Sequence, residues 1–118
     1  MSVVKSDIIK QLANHGAKVI GMPCNTAHSE KIIAEVKNLP KNVQFINMIS
    51  EVVKCIQNKY SKAKRIGLLA TSGTISSGVY NKEMDKNGLD TVLLSDEDQK
   101  KLIDDAIYNK NIGIKSNS

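Results

Sequence analysis

The stretch Ala17-Lys-Val-Ile-Gly-Met-Pro-Cys-Asn-Thr-Ala-His28 decides how the chain is read. Ala17 to Met22 is an apolar run of strand length, and Pro23 closes it because proline cannot donate to a central ladder. Cys24 follows at the strand mouth, and Asn25, Thr26, Ala27 and His28 begin the next helix. A thiol so placed feels the positive end of the helix dipole, which favours thiolate. The first amides of a helix have no intrahelical acceptor, so they suit a carboxylate. On the residues alone, Cys24 reads equally as a reactive thiolate and as a buried small hydrophobe.

Outward from this unit, helical and extended patterns alternate four times. Ile8, Ile9, Leu12 and Ala13 fall at helical spacing, so a helix over about Ser2 to His15 is predicted, ended at Gly16. Ile32, Ile33 and Val36 mark a second helix, Val43 to Met48 a strand, and Ile49, Val52, Val53 and Ile56 a helix reaching Tyr60. Lys64 to Ala70 reads as a strand, Val79 to Lys86 as a helix ended by Gly88, and Asp90 to Leu94 as a strand. Ser95 can cap a further helix whose first turn carries Asp96, Glu97 and Asp98, the charges its dipole favours. The polar end from Asn109 to Ser118 lacks periodicity and is expected to fray. This alternation is that of an α/β protein with a parallel sheet and helices on both faces. Ligands in such sheets gather at the carboxyl ends of strands, where both unusual loops sit.

The second such loop is Thr71-Ser-Gly-Thr74, with hydroxyls, amides and a glycine that permits close approach. Such residues equally make ordinary turns and caps. Cys55 lies mid-helix beside Ile56, with neither a helix start nor a glycine turn, and reads as structural. His28, four positions after Cys24, either assists the thiolate or packs and caps. A cysteine-dependent phosphatase would need an arginine about six residues after its cysteine to clamp phosphoryl oxygens, and position 30 is Glu30.

At 118 residues, 41% apolar and 25% charged, the chain has the composition of one folded domain. No run approaches the roughly 18 apolar residues that a bilayer span needs, and no export signal opens the chain, so a cytoplasmic location with reduced thiols is expected. The net charge of +5 raises nucleic acid as a partner, but the 17 Lys and Arg residues are dispersed without interleaved aromatics. They read as a solvated basic face.

Three separated motifs, Gly21-Met-Pro-Cys-Asn-Thr-Ala-His28, Phe45-Ile-Asn-Met-Ile49 and Gly67-Leu-Leu-Ala-Thr-Ser-Gly-Thr-Ile75 with Ser77-Gly-Val-Tyr80, are similar in order and spacing to the aspartate racemase branch of the cofactor-independent aspartate/glutamate racemase family. The resemblance extends to about Tyr108. It implies a two-lobed α/β fold with a cleft between the lobes, acting without pyridoxal phosphate or metal. Residues 1–62 would then belong to the first lobe, 63–110 to the start of the second, and 111–118 to a polar tail.

By the same resemblance, Cys24 is one of two opposed catalytic thiols. Asn25, Thr26 and Ala27 hold a substrate carboxylate, and Ser72, Gly73 and Thr74 form the facing cradle. The implied reaction is proton removal from Cα of an acidic amino acid. Family members also carry a first strand with a Gly-Gly-Met-Gly-Pro-like loop, a second cysteine in a Gly-Cys-Thr-Glu-like motif, and a basic residue near the last helix. The first two are not in these residues, and Lys110 is the one candidate for the third. The expectation is therefore a shortened racemase with impaired inversion. Its alternative is a non-catalytic remnant that binds a dicarboxylate or pairs, through open sheet edges, with another chain or copy. Neither nucleic acid nor membrane is an expected partner.

Overall fold

The computed structural model of the chain describes residues 2–115, with side chains from residue 7 onward. It divides between Ser61 and Lys62 into two compact units. Each contains one pair of parallel strands and its own helices, so the fold is α/β. The four strands do not join in one sheet.

In the first unit, α1 (Ser2–Asn14) leads into β1 (Val19–Gly21). A single 3-10 turn (Thr26–His28) and α2 (Glu30–Val36) follow, then β2 (Gln44–Ile46) and α3 (Met48–Lys59). Strands β1 and β2 pair in parallel, with Ile20 opposite Phe45. Ile9, Ile20, Ala27 and Ile32 form the buried core, joined by Ala13, Met22, Val36 and Phe45 at its border. Each isoleucine so buried contributes roughly 1.5–3 kcal/mol of transfer free energy. The apolar stripe expected on α1 is only half used. Ile9 faces the core, whereas Ile8 and Leu12 lie exposed on the flank.

The second unit runs β3 (Arg65–Gly67), α4 (Ser72–Ser77), α5 (Val79–Lys86) and β4 (Asp90–Val92). Its last helical stretch starts with α6 (Asp96–Asp98), widens into a π-helical turn (Gln99–Asp104) and closes with α7 (Asp105–Tyr108). Strands β3 and β4 are parallel, with Ile66 opposite Thr91. Met84 and Leu89 are buried here. Ser95 caps α6 by accepting the Asp98 N–H at 3.2 Å, as its sequence position predicts.

Two expectations for this unit need correction. The small polar stretch after β3 is helical rather than a loop. Thr71 caps it by accepting the Thr74 N–H, and Gly78, at φ +70°, separates it from α5. The strands are also shorter than their apolar runs, because pairing reaches only three residues. The expected fraying concerns 109–118, of which 116–118 lie outside the described residues. Up to Lys115 the backbone forms turns, including Lys115 N–H donating to Ile107 O at 2.8 Å. Among the described residues, no helix is long and apolar enough to cross a membrane.

Candidate functional site

Cys24 emerges from the carboxyl end of β1, two residues before the 3-10 turn. Its side chain is exposed, which removes the reading of a buried small hydrophobe. The Sγ atom lies 3.8 Å from Thr26 Oγ1, a contact that lets the hydroxyl donate to sulfur. Asn25 is half-buried with helical backbone, and Thr26 is exposed. Ala27 is 1% exposed and packs into the core, so its methyl anchors the turn from below.

His28 resolves into a structural brace. It is 6% exposed, and its Nδ1 lies 2.7 Å from the Cys24 carbonyl while Nε2 accepts the Met48 N–H at 3.3 Å. An imidazole that donates at Nδ1 and accepts at Nε2 is the neutral Nδ1–H tautomer. The ring also packs against Phe45, with centroids 6.1 Å apart. His28 therefore ties the Cys24 loop to the start of α3 and directs nothing at the thiol itself.

Beside this loop an open groove of about 560 Å³ runs along the carboxyl ends of β1 and β2. Met22, Pro23 and Ile46 line it from the strand side, and Met48, Glu51, Val52 and Cys55 from α3. Cys55, read from the sequence as structural, has its side chain exposed on α3. The reason is angular. Ile49 and Val53 face the core, and Cys55 lies two residues, about 200°, beyond Val53 on the helix.

In the second unit, Ser72 and Gly73 are exposed at the carboxyl end of β3, while Thr74 is 4% exposed. Thr74 N–H donates to Thr71 Oγ1 at 3.3 Å, and the Thr71 hydroxyl donates to Thr74 Oγ1 at 3.1 Å. Both polar groups of Ser72 go to a residue that sequence reasoning missed. The Ser72 hydroxyl donates to Asp104 Oδ2 at 2.5 Å, and its backbone N–H to Oδ1 at 3.2 Å. Gln99 joins them, donating from Nε2 to the Ala70 carbonyl at 2.7 Å and to Asp104 Oδ1 at 3.1 Å. The Ser72 hydroxyl, then Gln99, the Ser72 amide and the charge of Lys100, hold the Asp104 carboxyl below the usual carboxylate range, against a smaller opposing effect of burial. No local signal pointed to Asp104, since 32 residues separate it from Ser72. Among the described residues, no three His, Cys, Asp or Glu side chains gather as a metal site would require.

Residues 5–112 match the profile of a family described as Asp/Glu/hydantoin racemase. The chain is similar to the broad specificity amino-acid racemase RacX of Bacillus subtilis (strain 168), 30% identical over 82 residues, covering 70% of this chain and 34% of that protein. It is also similar to the glutamate racemase of Aquifex pyrophilus, 32% identical over 79 residues, covering 67% of this chain and 30% of that one. Among solved structures, the aspartate racemase of Picrophilus torridus superposes with a TM-score of 0.59 at 27% identity, over 85% of this chain and 40% of the other. The chain thus spans about a third of the length of the curated relatives it matches.

Proposed function

Because the chain belongs to the Asp/Glu/hydantoin racemase family, we propose that it acts at the α-carbon of an acidic amino acid, with the Cys24 thiolate removing the proton and no pyridoxal phosphate taking part. The observation that carries this reading is the exposed thiol at the carboxyl end of β1, on a loop braced from below by His28 and Ala27. In the step proposed, the Cα–H proton passes to sulfur and negative charge develops on the substrate carboxylate. Amide donors at Asn25 and Thr26, and the Thr26 hydroxyl, stabilise that charge more as it grows, which is how oriented donors accelerate such a step. Return of the proton to the same face gives exchange, and delivery to the opposite face gives inversion. Among these residues the resemblance assigns Cys24 as a base. A cytoplasmic setting, which keeps both thiols reduced, belongs to the same proposal.

The test is proton exchange in heavy water with L-aspartate, L-glutamate and a neutral amino acid, followed by loss of the Cα–H signal and by chiral chromatography. Exchange that Cys24→Ser abolishes supports the reading; exchange that persists in Cys24→Ser refutes it. A second reading is favoured by the two-stranded sheets, whose outer edges pair with no further strand among the described residues, and by Val19 on β1 at 60% exposure. There the chain pairs with another copy. Light scattering that finds a monomer at high concentration would rule out this pairing.

A further inference from the structure

We propose that Asn87 is a self-modification site guarded by the fold. While the turn after α5 is closed its carboxamide is inert; when the turn opens, Asn87 converts to aspartate or isoaspartate, and the product hinders reclosure. Nothing in this depends on the racemase reading.

Asn87 is the one asparagine of the chain that is followed by glycine. Asparagine is among the thermolabile residues, and a glycine after it leaves its side chain open to attack by the next backbone nitrogen, since no Cβ stands in the way. In that step the Gly88 nitrogen bonds to Asn87 Cγ and gives its proton to solvent. The Cγ–Nδ2 bond breaks and the side-chain nitrogen leaves as ammonia. One water then opens the cyclic imide at either carbonyl, giving aspartate, or isoaspartate where the main chain now runs through Cγ. Water is the one co-reactant, and nothing is oxidised or reduced.

Both residues are exposed, so water reaches them. The reacting atoms, however, are held apart. Nδ2, which has to leave, donates to the Glu83 carbonyl at 2.8 Å. The Gly88 N–H, whose nitrogen has to attack, donates to the Asp85 carbonyl at 3.2 Å. At an Asn87 ψ of 13° the Gly88 nitrogen nearly eclipses the nitrogen of Asn87 itself and stands away from Cβ, so the ring closes only after that bond rotates. Rotation would drag on Leu89, which is 3% exposed and whose N–H donates to the Met84 carbonyl at 3.0 Å. Opening of the turn therefore precedes the chemistry.

The product opposes closure in three ways. A carboxylate only accepts hydrogen bonds, so the donor to the Glu83 carbonyl is lost. A new negative charge stands at the carboxyl end of α5, where the helix dipole disfavours it. Isoaspartate also lengthens the main chain by one methylene between α5 and β4, a span that the burial of Met84 and Leu89 fixes at both ends.

The experiment keeps the intact chain at mildly alkaline pH with and without guanidinium chloride. Tryptic digestion releases the peptide from Asn87 to Lys100, in which Asn87 is the one asparagine, and mass spectrometry follows its conversion. Conversion should be slower in the native chain by about tenfold or more, as expected for a reaction that waits on local opening. Chain aged in denaturant and returned to buffer should then unfold at a lower guanidinium midpoint than Asn87→Ser treated identically, which carries every other age-related change but this one. No conversion in denaturant, a native rate equal to the denatured one, or equal midpoints for the two aged chains would each overturn the proposal. The rate comparison uses the unaltered chain and needs no variant to fold.

Discussion

The buried imidazole of His28 holds the Cys24 loop by its backbone, donating from Nδ1 to the Cys24 carbonyl at 2.7 Å while Nε2 takes the Met48 N–H. Replacing it with alanine would leave both backbone groups without their partner at a site that is 6% exposed. His28→Ala should therefore lose roughly 1–3 kcal/mol, read as a lower urea midpoint. His28→Phe, which keeps an aromatic ring beside Phe45 but not the two bonds, should recover little of that loss. Full recovery by phenylalanine would mean that packing, not the brace, stabilises the loop.

Both cysteines are exposed, one on a loop and one on the outer side of α3. A thiol-reactive chromogenic reagent should modify both in the native chain without denaturant. Cys55→Ser should leave exchange at Cα intact, whereas Cys24→Ser should remove it. A thiol that reacts only after unfolding would contradict the placement of that residue.

Asp104 contributes to the acid sensitivity of the second unit. Its folded pKa lies below the ordinary carboxylate value of 3.8, because the Ser72 hydroxyl, Gln99 and the Ser72 amide bind the ionised form. The sign follows from proton uptake. Below 3.8 the unfolded chain binds the proton first, so the stability from this contact is complete above that value and drains away as pH falls through the lower folded pKa. Asp104→Asn should flatten this part of the acid unfolding curve. A curve unchanged in shape would show that the contact is not linked to folding.

Core and surface positions of the second unit should part clearly. Met84 is 2% exposed, so Met84→Ala should cost about 2–5 kcal/mol. Leu102, at 58% exposure, projects from the π-helical turn, and Leu102→Gln should stay within roughly 0.5 kcal/mol. Thermal unfolding of the two variants checks the contrast. A Leu102→Gln loss comparable to that of Met84→Ala would mean that this face is covered by something else.

Much of the scaffold was legible because its signals are local. The helix over Val79–Lys86, its stop at Gly88 and the Ser95 cap of α6 each depend on residues within one turn of one another. Helix α4 was not legible. Ser-Gly-Thr-Ile-Ser-Ser has the composition of a turn, and it is helical only because Thr71 caps it and Asp104 takes the donors of Ser72 from across the unit. The exposure of Cys55 was not legible for a related reason. Which arc of α3 meets the core is decided by what packs against it, and Ile49 and Val53 claim that arc.

The residues from Ala17 to His28 by themselves determined a strand, a proline stop and a cysteine beside a helical turn, since each follows from chain chemistry over a few positions. Together with the two later motifs they also carried the family. Only the tertiary structure decided between the alternatives left open there: Cys24 is exposed rather than buried, and His28 braces a carbonyl rather than assisting a thiol. It also decided that the second loop's donors are already turned toward a carboxylate of the chain itself. The partners concerned, Met48 for His28 and Asp104 for Ser72, stand 20 and 32 residues away. Hydrogen bonds and burial depend on which groups folding brings together, and local spacing carries no record of that.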